Sequence, residues 1–399
     1  MSSYIGVDLG GTKVAVATLD GRSLIRSALE PTNQSGADAL IDQLAELISR
    51  AAPDDLRAVG IGAASVVEWA TGRVVSSTNL PLANVPLRQV LGARLGIPVF
   101  VDNDATVAAL AEAHDEQGTL VARNLVMLTI GTGFGGGLVL GGRIYRGATG
   151  AAAEVGHTIV ALPLEGAVPQ PAGFPQPNSL EFAAAGLALD RLTMEAARQH
   201  PESALGRLLA EGKRVLGPDC VEAAEGGDTT AVRTIEIWAE RVGIGVANAI
   251  NWFDPDEVVI GGGAARAGEL LLKPATRIAR AYALPGVGTA TTIRLARHGV
   301  RAGVLGSALL AMTELEASSG ASAGGIGRVQ RARRERREPL MSMRVLECNI
   351  CGETLAAAND EELLRRLRDH VETEHSASDY NEATARETIA SEAYDATDS

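Results

Sequence analysis

The 399-residue chain reads as an α/β protein of two similar lobes with a small appendage. Three observations predict that class. Glycine-tipped hairpins recur at 8–20 and 124–140, each an apolar strand turning into a second strand. Strand patterns and amphipathic helical patterns alternate around both. An acidic run, Asp102, Asn103 and Asp104, joins an apolar strand (Val99 to Val101) to a helical pattern of small residues.

Composition excludes several classes. Hydrophobic residues make up 46% of the chain, enough for two or three cores, and aromatics only 3%, so Ala, Val, Leu and Ile fill them. A net charge of -13 argues against coating nucleic acid. Three cysteines make no disulfide framework and suit a reducing cytoplasm. No run approaches the ~20 apolar residues of a membrane helix, so no membrane partner is expected.

In the first lobe, Tyr4 to Gly6 is a strand that delivers Asp8 to a turn at Gly10 and Gly11, and Val14 to Thr18 returns. Without Cβ atoms, such a turn lets backbone N–H groups approach a phosphate. Thr12 adds a hydroxyl, Lys13 a cation, and Asp8 suits a hydrated Mg²⁺. Helical spacing covers Ala37 to Ala52 and Leu87 to Leu95, with a strand at Ala58 to Gly62. Asp104 then follows its strand at a helix N-terminus, where the dipole favours an ionised carboxylate. That suits a general base; a plain helix cap with an Asn turn before it is the alternative.

The second lobe opens with a strand at Asn124 to Ile130 and the turn Gly131, Thr132, Gly133 in GTGFGGG. Two such hairpins suggest a duplicated fold that grips one polyphosphate from both sides. Glu154 and His157 share the segment Gly147 to His157, and Glu181 opens a helix after a loop with five prolines, Ala161 to Asn178. Carboxylates and an imidazole among small residues suit a polyhydroxylated ligand. Ala231 to Trp252 is a long helix; Glu257 to Ile260 is a strand ending in Gly261, Gly262 and Gly263; Ala302 to Ala311 is the last helix of the core.

The motifs DLGGTK, VDNDA, GTGFGGG, AAAEVGH, SLE and DPDEVVIGGG, in this order, resemble the ROK family of sugar kinases and sugar-responsive repressors. The resemblance spans Tyr4 to about Leu315 and implies an actin-like ATPase fold of two lobes. It implies ATP and Mg²⁺ as cofactors, a hexose as substrate and glucose as the first expectation, with N-acetylmannosamine, fructose or another hexose as alternatives. It implies that Asp8 orients magnesium and that Gly10, Gly11, Thr12 and Lys13 form one phosphate loop. Gly131, Thr132 and Gly133 match the second, and Gly261, Gly262 and Gly263 the turn near the nucleoside. Asp104 resembles the catalytic base. Asn103, Glu154, His157 and Glu181 resemble sugar ligands, with Thr78 and Asn79 lining the same pocket. The family's repressors place a helix-turn-helix before the core, which here starts at Tyr4. A homodimer is expected.

Two departures stand out. Many members bind zinc through a cysteine cluster between the His and the Glu; that interval has no cysteine here, and Ser179 stands where the last would be. The segment Gly60 to Trp69 is also altered. The expected organisation is an N-terminal lobe over 1–112 completed by helix 302–315, a C-terminal lobe over 113–301 and a linker over 316–340. A zinc-knuckle-like module follows over 341–376, then an acidic disordered tail over 377–399. In the module, Cys348, Cys351, His370 and His375 form C-x2-C-x18-H-x4-H, with an apolar stripe Leu363, Leu367, Val371 on its helix. That module and the basic run Arg328 to Glu338 are expected to meet an unidentified partner.

Overall fold

A computed structural model describes residues 2–21, 23–77, 79–116, 118–162, 174–321, 343–347, 354–357, 360–375, 381–392 and 394–396. Met1–Ala317 forms one compact unit and Ser318–Ser399 a second.

The first unit begins with β1 (Ser3–Leu9), β2 (Lys13–Asp20), β3 (Ser23–Pro31), α1 (Ala37–Ala51) and β4 (Leu56–Ala63). A small hairpin, β5 (Val66–Glu68) and β6 (Arg73–Ser76), leads to α2 (Leu87–Leu95), β7 (Val99–Asn103) and α3 (Asp104–Glu112). The sheet order is β3-β2-β1-β4-β7, with β1, β4 and β7 parallel. Helix α1 buries Leu40, Ile41, Leu44, Leu47 and Ile48, the stripe that 3.6-residue spacing puts on one face. Each such side chain contributes about 1.5–3 kcal/mol by leaving water. Strand β3 was not legible as a strand, because it is an edge with Ile25 and Leu29 exposed and no clean alternation.

The second lobe holds β8 (Leu125–Ile130), β9 (Phe134–Leu140), β10 (Arg143–Ile144), α4 (Leu180–Ala184), α5 (Gly186–Gln199), α6 (Ala204–Ala210), α7 (Gly217–Glu225) and α8 (Thr229–Phe253). Then come β11 (Glu257–Gly261), α9 (Glu269–Tyr282), β12 (Thr292–Leu295) and α10 (Ala302–Ala321). Its sheet runs β10-β9-β8-β11-β12, the same order as the first. The third glycine turn enters a 3-10 turn, Gly263–Ala267, before α9 rather than opening the helix directly.

Helix α10 is pressed backbone to backbone on the first lobe. A Cβ on Gly6 would lie 2.0 Å from the Val304 carbonyl, on Gly60 1.8 Å from the Ser307 carbonyl, and on Gly306 1.8 Å from the Val107 carbonyl. Those glycines are a packing requirement. The Ser307 hydroxyl donates to the Val7 carbonyl at 2.8 Å. The helix runs to Ala321, so the expected linker is helical over its first residues; Ala and Glu there are good helix formers.

In the second unit, β13 (Met343–Glu347), β14 (Thr354–Ala357) and β15 (Tyr394–Ala396) form a sheet in the order β14-β13-β15. Helices Asp360–Glu374 and Glu382–Glu392 complete it. The expected disordered tail is corrected over Glu382–Glu392, where Ala385 and Ile389, four residues apart, join Leu363, Leu367 and Val371 in one buried cluster; residues 377–380 and 397–399 lie outside the described residues. Polar composition hid that short stripe. Residues 322–342, with the basic run, lie outside the described residues.

Candidate active site

Asp104 is the first residue of α3, and the cap is its neighbour. The Asn103 side chain accepts the N–H groups of Ala105 at 2.9 Å and Thr106 at 3.2 Å, and its amide donates to the Ser65 carbonyl at 3.3 Å. Asp104 shares in this, since one of its carboxylate oxygens also accepts the Ala105 N–H at 2.9 Å, but Asn103 is the residue that reaches Thr106. Burial raises the Asp104 pKa against hydrogen bonds from Ala105, its own N–H and Asn103 that lower it. This corrects the expectation that the helix dipole dominates: desolvation wins. A carboxylate tuned upward is a stronger proton acceptor at neutral pH.

Asp8, at the end of β1, has its pKa pushed up to about 6, first by burial, then by the Asp104 charge, with Lys13 opposing. A Cβ on Gly303 of α10 would come 2.4 Å from the Asp8 carboxyl carbon, so the helix closes one side of it. Two carboxylates short of compensating charge fit a divalent cation.

The first turn, residues 10–12, closes with Gly10 N–H on the Lys13 carbonyl at 3.0 Å. Thr32 donates to the Gly10 carbonyl at 2.7 Å, and Gln34 to the carbonyls of Gly11 and Asn79. Gly11 touches Asn79 so closely that a Cβ would sit 2.6 Å from the Asn79 Cβ. Asn79 therefore lies against the first loop; Thr78 lies outside the described residues. The second turn, residues 131–133, closes with Gly131 N–H on the Gly133 carbonyl at 3.0 Å. Glu181 sits under it and accepts the Phe134 N–H at 2.8 Å. Glu154 and His157 flank a 3-10 turn, Nε2 to Oε2 3.8 Å, both substantially exposed.

Strand β9 brings these pieces together. Gly136 rests on the Ala153 carbonyl and Val155, and Gly137 on Ala105 and Ala109 of α3. The head of α3 and the Glu154–His157 turn thus meet neighbouring residues of one strand. Behind the second turn lies a cavity of about 650 Å³, lined by Ile130, Gly131, Thr132, Trp238, Gly263 and Arg266, with Asp190 and Glu222 among its other walls. Gly262, at φ 78°, packs on the Ile130 backbone. The cavity suits a flat heterocycle with hydroxyl partners on its acidic side.

Residues 4–314 match the profile described as ROK family. The chain belongs to the ROK family. A glucokinase of Halalkalibacterium halodurans is 36% identical over 315 residues, 77% of this chain and 94% of that one. An N-acetyl-D-glucosamine kinase of Escherichia coli is 32% identical over 326 residues, covering 78% of this chain and 100% of that one. A ROK family glucokinase from Streptomyces griseus, solved with glucose and AMPPNP, superposes with a TM-score of 0.62 at 32% identity, over 78% of this chain and 100% of that one. The actin-like ATPase fold of two lobes follows.

Where family members carry the cysteine cluster, Ser179 caps α4 by accepting the Phe182 N–H at 3.2 Å, and the His157 ring meets Phe174 edge-on at 5.1 Å. In the second unit the rings of His370 and His375 stand 5.1 Å apart, whereas Cys348 and Cys351 lie outside the described residues. Among the described residues no cluster of His, Cys, Asp or Glu is arranged to hold a metal, and no helix is long and apolar enough to cross a membrane.

Sequence reasoning missed the cavity walls from α5, α7 and α8. One signal was available: Gly217 and Pro218 open α7, a helix start that proline marks. It also missed the buried ion pairs, since Glu112 and Arg146 belong to no motif and the motif around Asp102 names no cation to pair with it.

Proposed function

We propose that the chain is an ATP-dependent hexose kinase that converts glucose and ATP to glucose 6-phosphate and ADP. The observation that carries this reading is the half-buried Asp104 carboxylate at the head of α3, close enough for its charge to raise the Asp8 pKa. It is supported by the glucokinase relatives and by the S. griseus glucokinase, which was solved with glucose and AMPPNP.

In this reading the nucleoside occupies the 650 Å³ cavity beside Gly261, Gly262 and Gly263, and its phosphates run between the two glycine turns. N–H groups at Gly10, Gly11, Thr12, Gly131, Thr132 and Gly133, with Lys13, offset the phosphate charge. Asn103, Glu154, His157 and Glu181 take sugar hydroxyls, with Thr78 and Asn79 at the rim. Asp104 takes the proton of the attacking hydroxyl as the O–P bond forms and the bond to ADP breaks, an effect on the order of 10²–10⁴-fold. Asp8 would orient Mg²⁺, which neutralises charge on the phosphates when bound.

A coupled assay of ADP release across a hexose panel tests the reading. Release is expected with glucose; background rates with every hexose would overturn it. The N-acetyl-D-glucosamine kinase relative makes that sugar the control for substrate choice.

Two finer assignments belong here. The hairpin β13–β14, the following helix and the His370–His375 pair support a zinc module completed by Cys348 and Cys351. Metal analysis of the full chain should find one zinc, lost in Cys348→Ser; none in the full chain would refute the module. Exposed Trp252, Tyr282 and Leu284, at 62, 64 and 62% on the adjoining ends of α8 and α9, support a homodimer face. Light scattering should give twice the monomer mass.

A further inference from the structure

Arg146 is a node that the chemistry above does not use. It follows β10 and opens the Gly147–His157 segment. Its carbonyl accepts the Ala152 N–H at 3.1 Å, closing the loop shortly before Glu154. Its Nε donates to Asp102 Oδ2 at 2.6 Å and its Nη2 to Glu314 Oε1 at 2.8 Å. The other Asp102 oxygen accepts the Asn103 N–H at 2.9 Å. One carboxylate therefore holds both the backbone that leads into Asp104 and the guanidinium that anchors the loop bearing Glu154 and His157. The Trp69 ring covers that guanidinium, 4.0 Å from Cζ to the ring centroid. The Arg146 and Asp102 side chains are only 10% and 5% exposed, so water does not compete for the pair.

We infer that Asp102 and Arg146 are positioning residues that hold the general base and the sugar loop in one register across the two lobes. The inference rests on the sugar-kinase reading of the same site. A base displaced by a fraction of an ångström loses in-line geometry without losing nucleotide contacts. A purely structural ion pair makes a different prediction, because its loss acts through stability alone.

The double variant Asp102→Asn/Arg146→Met separates the two. It leaves neither member of the pair as a lone buried charge, and Glu314 keeps the Arg88 cation nearby. Full-length wild type, the double variant and Arg146→Lys are compared for thermal midpoint, kcat, and KM for glucose and for ATP. The double variant is expected to keep its midpoint within a few degrees and lose about tenfold or more in kcat/KM for glucose, with KM for ATP changed by less than about twofold. Arg146→Lys, which keeps the charge but not the fork, is expected to recover part of the loss. Wild-type kcat/KM for glucose in the double variant overturns the inference, as does a loss that falls equally on ATP or tracks the midpoint. A wild-type chain that neither turns over nor binds any hexose by calorimetry overturns the kinase reading first, and this inference with it.

Discussion

The two lobes share one strand order and one three-residue glycine turn, yet they supply different chemistry. In the first lobe the strand ends carry carboxylates: Asp8 at the end of β1, and Asp104 directly after Asn103, the last residue of β7. The turn is held by neighbouring loops through Thr32, Gln34 and Asn79. In the second, the matching strand end at β8 carries no acid. Its turn is held by helix starts, through Glu181 and the Gly186 N–H on the Gly131 carbonyl at 2.8 Å. The helices α5, α7 and α8 then wall a cavity of about 650 Å³ behind that turn. Topology was duplicated; function diverged in what stands at the strand ends.

The largest expected effect removes the first lobe's chemistry alone. Asp104→Asn should lower kcat by at least ~10²-fold while glucose and ATP affinities stay near wild type. Near-normal kcat would make the residue a packing carboxylate. Next in size is the seam on which α10 packs against the first lobe. Gly306→Ala should cost about 3 kcal/mol in thermal unfolding, because backbone has no room to yield. Gly263→Ala, with nothing within 4 Å, should be nearly neutral for stability; equal costs would contradict the seam.

Asp8 separates stability from activity. Its folded pKa, about 6, lies above the ordinary carboxylate value, so folding favours the protonated form. Its contribution is full below about pH 4 and is lost as pH rises through about 6, roughly 3 kcal/mol in all. Without Mg²⁺ or nucleotide, Asp8→Asn should therefore be more stable than wild type at pH 7 and equal to it near pH 4, yet inactive. A variant less stable at pH 7 would reverse the sign. The smallest effect tests the sugar ligands. Glu154→Ala should raise KM for glucose about tenfold and leave ATP alone, whereas Glu181→Ala should disturb both substrates, because Glu181 also holds the Phe134 N–H. Identical profiles would erase that distinction.

The fold was legible wherever the pattern was periodic: α2 occupies Leu87–Leu95 as read, and β11 starts at Glu257 as read and runs one residue further, to Gly261. It was illegible where long-range contacts decide. Gly6, Gly60 and Gly306 look like ordinary strand and helix glycines until α10 is laid across them. The carboxylates of the site were legible because their residue types and turns are local. The Asp102–Arg146 pair was not, because its members lie 44 residues apart and meet only when the lobes assemble. Asn103 shows the intermediate case: its type predicted polar contact, but only geometry showed that it caps α3 through the Ala105 and Thr106 N–H groups.

The most direct measurement is a crystal structure of the full chain with glucose and a non-hydrolysable ATP analogue. The account predicts the nucleoside in the cavity behind Gly131 and Gly263, phosphates between the two glycine turns, and the glucose 6-hydroxyl about 2.6–3.2 Å from the Asp104 carboxylate. Glucose bound away from Asp104, or phosphates outside the two turns, would contradict it.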